Sequence, residues 1–268
     1  MNNMLIVASM FGALALLEMA RGRFRKTTAT MDDRVVEVFN TLAVPLLIVP
    51  TILFTSYSLL VKFAPQYQDA WAQLPVWAMV VILLLGDDMS QYWWHRLSHS
   101  VPLLFNFHRA HHEGRYISVR VAYRNSIIYY LFMPTIWISG ALIFMGLGKV
   151  FVVYSLFKAL VIYGAHCAVP WDAFLYRHKF LSPLAWVIER TISTPSTHQA
   201  HHGMYAEDGV TNYNGNYGNL LFFWDVLFGT AKITRRYPTE FGLPGEQRAT
   251  FLKQLFYPFF NDRKTSKS

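Results

Sequence analysis

The sequence predicts an all-α fold: a polytopic membrane helix bundle of four to five spans with a helical cap on the cytoplasmic side. Of the 268 residues, 53% are hydrophobic and only 15% are charged, whereas soluble domains usually carry about a quarter charged residues. Five apolar runs reach or approach the length of about 20 residues that a helix needs to cross a bilayer. Because no linker divides the chain, we expect a single domain over residues 1–268.

The predicted spans follow the apolar runs in chain order. The first run carries no charge, no basic residues precede it and no small-residue cleavage site follows it, so we expect an anchor and not a signal peptide. Prolines inside the second and fourth runs should kink those helices. From Lys232 onward the chain is polar and should pack beneath the membrane domain. The five runs are Met1–Leu17, Thr41–Val61, Ala70–Gly86, Asn125–Gly148 and Val150–Trp171.

Basic residues predict the orientation of these spans. The loop between the first two runs is rich in Arg and Lys, and the positive-inside rule places such a loop in the cytoplasm. Counting crossings from there puts all ten histidines on the cytoplasmic side, provided that no run is a re-entrant hairpin. We therefore expect a multi-pass protein of a bacterial inner membrane or of the endoplasmic reticulum. The net charge of +8 fits a basic surface facing anionic lipid, and we expect no nucleic-acid partner.

Eight histidines fall into three clusters with helical spacing. Residues three and four apart share one face of a helix, so each cluster can direct its rings to a common point. Neutral imidazole binds iron, zinc, copper and nickel. Eight rings exceed the needs of one ion, so we predict two metal ions with roughly four histidines each, and the single Cys167 rules out a cysteine-based zinc site. The first cluster is His95 and His99, the second is His108, His111 and His112, and the third is His198, His201 and His202.

Two further histidines and several carboxylates are candidates for the same site. His166 ends the fifth run and should face the bundle interior, whereas His178 lies in a basic loop and is either a ligand or a surface residue. Asp88 precedes His95 by two helical turns, with Asp87 as the alternative, and Asp225 follows the third cluster. Such carboxylates can accept the second ring N–H of a ligating histidine. For Asp225, a helix cap or an ion pair with a nearby arginine is an equal alternative.

Three segments resemble the fatty acid hydroxylase/sterol desaturase superfamily, the membrane histidine-box di-iron oxygenases. DDMSQYWWHRLSHSVPLLFNFHRAHH is similar to its first two boxes, TPSTHQAHHG to the third, and NYGNLLFFWDVLFGT to the block that follows. The resemblance covers residues 87–230 and implies metal binding by all eight box histidines. Relatives usually have one more histidine between the second and third boxes, for which His166 and His178 compete.

The resemblance also implies the reaction. We expect two Fe ions, with zinc possible in the purified protein, which use O₂ to hydroxylate a C–H bond of a membrane lipid or acyl chain. Electrons should come from an external donor, either a b-type cytochrome or a ferredoxin with its reductase. A lipid or sterol desaturase on the same centre is the alternative. A histidine-rich membrane metal transporter is a further alternative, but it would need polar residues along several spans, whereas these histidines lie at one end.

Overall fold

The computed structural model describes residues 3–24, 28–245 and 248–260, and within these ranges the protein is all-helical, as predicted. Met1 and Asn2 of the first predicted span lie outside the described residues. The helices are α1 (Asn3–Ala20), α2 (Met31–Ala43), α3 (Val49–Phe63), α4 (Val76–Leu83), α5 (Met89–Ser100), α6 (Pro102–His112), α7 (Ile127–Phe132), α8 (Pro134–Leu142), α9 (Gly148–His166), α10 (Ala173–Arg177), α11 (Ser182–Thr191), α12 (Pro195–His201), α13 (Phe223–Leu227) and α14 (Phe251–Phe256).

Helices α2 and α3 form one apolar segment, Met31–Phe63, that is long enough to cross a membrane. Its start is fixed by Thr30, whose side chain accepts from the Asp33 amide while the Asp33 carboxylate accepts from the Thr30 amide. A π-helical turn, Val44–Ile48, joins the two helices and contains Pro45. Proline lacks a backbone donor, and a π-helical turn is one of the places where a helix can accommodate that loss.

The second segment of this kind, Pro134–His166, contains α8 and α9. The helical path breaks at Gly146, which has a φ of 105°, a conformation that side-chain-bearing residues rarely adopt. A Cβ there would also lie 2.8 Å from the Ala72 amide nitrogen. The turn between α8 and α9 thus lies two residues before the end of the fourth predicted run.

In the third and fourth predicted runs, the helices have bounds that differ from those expected. The third run was expected from Ala70, but its helix starts at Val76 because the preceding residues form turns, with Asp69 at a φ of 56°. The fourth run is divided between α7 and α8 at Met133, which has extended backbone angles. The residue before a proline disfavours helical angles, and Pro134 follows.

Helix packing brings the histidine-bearing parts of four helices together. Helix α9 packs against α1, α4 and α12, α3 packs against α8, and α5 packs against α6. A π-helical turn, Leu84–Asp88, joins α4 to α5, so that these helices run continuously over residues 76–100. The later parts of α5 and α6, the end of α9 and all of α12 therefore meet at one end of the bundle.

A buried arginine joins three segments of the chain. The Arg124 side chain is fully buried, and its guanidinium donates to Asp33 Oδ1 at 2.5 Å, Gln254 Oε1 at 2.8 Å and the Tyr116 hydroxyl at 3.1 Å. These contacts join the start of α2, the segment before α7, and α14. Glu18 makes a comparable connection from α1, because its carboxylate accepts from the amides of Val119 and Ala168.

Candidate metal centre

Nine histidines converge in two groups at the end of the bundle where α5, α6, α9 and α12 meet. The five-histidine group and the four-histidine group each place one ring nitrogen per residue within 4.8 Å of all the others in the same group. All eight box histidines are present, together with His166. The five-histidine group is His95, His99, His108, His112 and His201, and the four-histidine group is His111, His166, His198 and His202.

Four chain segments deliver these rings. The first cluster lies on α5 and the second on α6, which follows it after a single residue, Val101. The third cluster occupies the end of α12 and the position after it, and His166 is the last residue of α9. The second and third clusters each contribute to both groups. Neighbouring positions on one helical turn therefore serve different metal positions, which the sequence alone did not reveal.

Distances between ring nitrogens in the four-histidine group fit ligands of a common ion. His198 Nε2 lies 2.9 Å from His166 Nε2 and 3.2 Å from His202 Nε2. His166 Nε2 lies 3.4 Å from His111 Nε2. With metal–nitrogen bonds of about 2.1 Å, two ligands at right-angled or tetrahedral positions stand about 3.0–3.4 Å apart. The rings are thus arranged as they would be around a metal.

Hydrogen bonds behind the rings set the tautomer of four histidines. In each case Nδ1 faces an acceptor oxygen, so Nδ1 carries the proton and Nε2 keeps its lone pair for a metal. The Nε2 atoms of His95 and His201 are buried and have no hydrogen-bond partner among the described residues, as expected of atoms reserved for a metal. The four bonds run from His95 to Tyr217 O (2.7 Å), His108 to Asn125 Oδ1 (2.7 Å), His166 to Ile162 O (2.8 Å) and His201 to Gly215 O (2.8 Å).

The rings of the second and third clusters are uncharged at neutral pH. Burial lowers the pKa of each of these six histidines well below its usual range, and the neighbouring imidazoles lower the pKa further. A neutral imidazole can bind a metal without first losing a proton. The protein therefore presents a donor set of imidazoles alone, which suits iron or zinc.

Asp88 and Asp225 have no hydrogen bond to a histidine ring among the described residues; both carboxylates instead hold the C-terminal block, residues 216–230. Asp88 Oδ2 accepts from the indole N–H of Trp224 at 2.8 Å and from the Leu221 amide at 3.1 Å. Asp225 accepts from the amides of Tyr217 and Gly218 at 2.8 and 2.6 Å. Asp225 thus fixes the segment whose Tyr217 carbonyl orients His95, so its effect on the site is indirect.

His178 is the one histidine that the structure does not bring to either group. It follows α10 and is half-buried, and its ring packs against Phe174 and Phe180 with centroids 4.7 and 5.7 Å away. The structure therefore favours the surface alternative for this residue. Of the two histidines that competed for the additional position, His166 is the one that lies within the site.

The sequence missed the residues that orient the rings. Asn125 lies between α6 and α7 and belongs to none of the three histidine clusters, yet its side-chain oxygen accepts a hydrogen bond from His108. The remaining acceptors are backbone carbonyls, which every residue type carries. The turn-rich segment from Thr211 to Gly218 was the only available signal: a Cβ at Gly218 would lie 2.5 Å from Leu221 O, so the chain is tightly folded there.

Replacing Asn125 tests this orientation. We expect Asn125→Leu to weaken metal binding by about 10–100-fold, as is typical when a ligand loses its hydrogen-bond acceptor. Asn125→Asp keeps an acceptor oxygen and should retain most of the affinity. Titration of the folded protein against a competing chelator measures both. Equal affinities for the wild type and Asn125→Leu would show that the bond to His108 does not matter.

An apolar cavity of about 250 Å³ leads from the histidines into the bundle. The histidines that line it are His95 and His108 of the five-histidine group and His111 and His166 of the four-histidine group. The cavity therefore reaches both metal positions at once. Its walls are mainly apolar and aromatic side chains, including Leu53, Tyr129, Met133, Ile136, Phe151 and Ile162.

Known proteins show similarity to the segment that contains this site. Residues 80–230 match the family model for fatty acid hydroxylase. Alkylglycerol monooxygenase from Danio rerio is 32% identical over 151 residues, which are 56% of this chain and 29% of the relative. The Homo sapiens protein of the same name is 30% identical over 148 residues, 54% of this chain and 29% of the relative.

A bacterial relative aligns over a longer stretch. Ornithine lipid hydroxylase OlsE from Rhizobium tropici is 28% identical over 210 residues, which are 72% of this chain and 53% of the relative. The chain thus spans less than a third of the alkylglycerol monooxygenases and about half of OlsE. No solved structure significantly matches the chain.

Proposed function

Because the chain belongs to the fatty acid hydroxylase family, we propose that it is an oxidoreductase that uses O₂ to hydroxylate a membrane lipid. The observation that carries this proposal is the position of the cavity: one apolar cavity ends against histidines of both groups. A lipid chain in that cavity would present a C–H bond to two metal ions together.

The donor set supports a pair of iron ions. The five-histidine group would hold one ion and the four-histidine group the other. When bound, two irons would supply the activation of O₂ and the oxidising power to break an unactivated C–H bond. The chain's own contribution is orientation, because hydrogen bonds to Asn125 and to backbone carbonyls keep Nε2 of four rings directed inward.

The cavity supports a lipid as the substrate. Apolar walls would bind a hydrocarbon chain by the hydrophobic effect and hold it in line with the histidines. Water would be excluded from the reacting carbon, which protects an oxidising site from side reactions. The names of the relatives, alkylglycerol monooxygenase and ornithine lipid hydroxylase, agree with oxidation of a polar membrane lipid.

Exposed apolar side chains support an integral-membrane protein. Phe54, Trp77 and Val153, on three different helices, are 72%, 71% and 69% exposed. Such residues are stable on a surface that faces lipid. We propose four to five spans with the histidines at the cytoplasmic side, where a b-type cytochrome, or a ferredoxin with its reductase, would deliver electrons.

The function is tested with the full chain purified in detergent. We expect about two tightly held iron ions per chain and O₂ consumption that depends on added lipid and on a reductant. Mass spectrometry of the lipids should show a product heavier by one oxygen atom; a product lighter by two hydrogens would indicate desaturation. Metal that exchanges freely, without lipid-dependent O₂ consumption, would contradict the proposal and favour a metal transporter.

A further inference from the structure

A buried ion pair lines the same cavity. The Lys158 ammonium of α9 contacts the Asp87 carboxylate of the turn between α4 and α5, and their side chains are only 13% and 7% exposed. Both residues line the cavity. Charged groups at such a depth in a membrane bundle are costly and usually serve a function.

The helices fix how far this pair lies from the metal positions. Asp87 precedes His95 by eight residues on the continuous helix 76–100, and Lys158 precedes His166 by eight residues on α9. At 1.5 Å per residue, each separation is about 12 Å along the helix. The cavity is therefore lined both by histidines and by a charged pair whose backbone positions lie about 12 Å further along the helices.

The two partners differ in their unused hydrogen-bonding capacity. Asp87 Oδ1 accepts from Thr135 and Ser139 at 2.6 and 2.8 Å, and Oδ2 accepts from Tyr154 at 2.6 Å and from Lys158. The carboxylate is thus fully occupied. An ammonium has three donors, and within the described residues the only acceptor recorded for Lys158 is Asp87. Lys158 therefore retains N–H donors beside the cavity.

A second polar residue lines the same cavity. Gln91 lies one helical turn from Asp87 and one turn from His95. It lines the cavity, and only 9% of the residue is exposed. Its Oε1 has no hydrogen-bond partner in the described part of the chain. Buried polar atoms are nearly always satisfied, so the Gln91 amide oxygen is an unmet acceptor in a residue that lines the cavity.

We propose that Lys158, held in place by Asp87, donates a hydrogen bond to a neutral oxygen of the lipid substrate, about 12 Å from the carbon that is oxidised. The substrate is then a lipid with a carbonyl or hydroxyl oxygen on the chain that enters the cavity. The oxygen is neutral because Asp87 already balances the charge of Lys158. This inference rests on the proposed function, since it names the substrate class of that same site.

Binding of two matched probes tests the inference. The full chain as purified is kept anaerobic, so that no oxidation takes place, and is titrated with hexadecan-7-one or with hexadecane. Relative affinity follows from the rise in melting temperature with probe concentration. We expect the wild type to prefer the ketone by about tenfold, the effect of one hydrogen bond to a charged donor.

Variants identify the donor. Asp87→Asn combined with Lys158→Met removes both charges and should reduce the preference to about onefold. Lys149→Met changes an exposed lysine on the same helix and should keep the wild-type preference. No ketone preference in the wild type, or an unchanged preference in the double variant, would overturn the inference. Neither outcome depends on O₂ consumption, so failure of the proposed function is detected separately.

A measurement on the wild type alone covers the case in which the double variant does not fold. Infrared spectra of bound hexadecan-7-one, labelled with ¹³C at the carbonyl, report hydrogen bonding directly. We expect the carbonyl band at lower frequency than for the same ketone in alkane solvent. A band at the alkane position would overturn the inference without any substitution.

Discussion

If the proposed two-metal hydroxylase is correct, His198→Ala should lower the metal content by about one ion per chain and strongly reduce hydroxylation. The His198 Nε2 atom lies within 3.2 Å of ring nitrogens of both His166 and His202, so its loss leaves three imidazoles in the four-histidine group. We expect activity to fall by more than about 100-fold, because loss of a ligand exceeds the 10–100-fold effect of losing an outer partner. Elemental analysis of the purified variant and lipid-dependent O₂ uptake measure the two effects.

His178→Ala is the matched control for this substitution. It removes an imidazole that packs on Phe174 and Phe180 and lies in neither group. Metal content and activity should stay within about twofold of the wild type, as for most substitutions away from buried sites. A His178→Ala protein that lost one metal, or a His198→Ala protein that retained both, would contradict the ligand assignment.

The sequence predicted the gathering of the histidines because helical spacing is a local property. In His108, His111 and His112, offsets of three and four residues direct the rings to one side of a turn whatever the rest of the fold does. The position of His166 at the end of an apolar run predicted that its ring faces the bundle interior, but His178 remained a competing candidate. The division into five and four histidines depends on how α5, α6, α9 and α12 pack, and no local spacing contains that information.

The carboxylates show where sequence reasoning stopped. Asp88 lies on the histidine-bearing helix, and its spacing from His95 suggested a direct contact, but spacing does not say what faces the carboxylate from another segment. The C-terminal block folds back and supplies Trp224 as its partner. The acceptors behind His95 and His201 are the carbonyls of Tyr217 and Gly215, and a carbonyl leaves no trace in residue identity.

The apolar runs were predicted more closely than the ends of their helices. Composition alone predicted the run Thr41–Val61, which lies inside the apolar segment Met31–Phe63 of the structure, because hydrophobicity summed over many residues outweighs local exceptions. The ends depend on single residues. Pro134 separates α7 from α8, and the positive φ of Gly146 separates α8 from α9. The first effect follows from proline chemistry, whereas the second depends on the close approach of Ala72.

Arg124→Met should destabilise the protein by about 3–5 kcal/mol, the usual cost of leaving a buried partner charge uncompensated. The Arg124 side chain is fully buried and donates to Asp33, Gln254 and Tyr116. Methionine fills a similar volume but donates nothing, so Arg248, at 3.5 Å, is then the only charged partner of Asp33 among the described residues. Chemical unfolding in mixed micelles measures the loss.

A second arginine and a double variant make this prediction specific. The Arg190 side chain is 34% exposed, and its buried partner Glu189 keeps Arg235 as a second charged partner, so Arg190→Met should cost less than about 1 kcal/mol. Adding Asp33→Asn to Arg124→Met removes the uncompensated charge and should recover part of the stability. If Arg124→Met cost no more than Arg190→Met, the buried pair would not hold α2 to the segment before α7 and to α14.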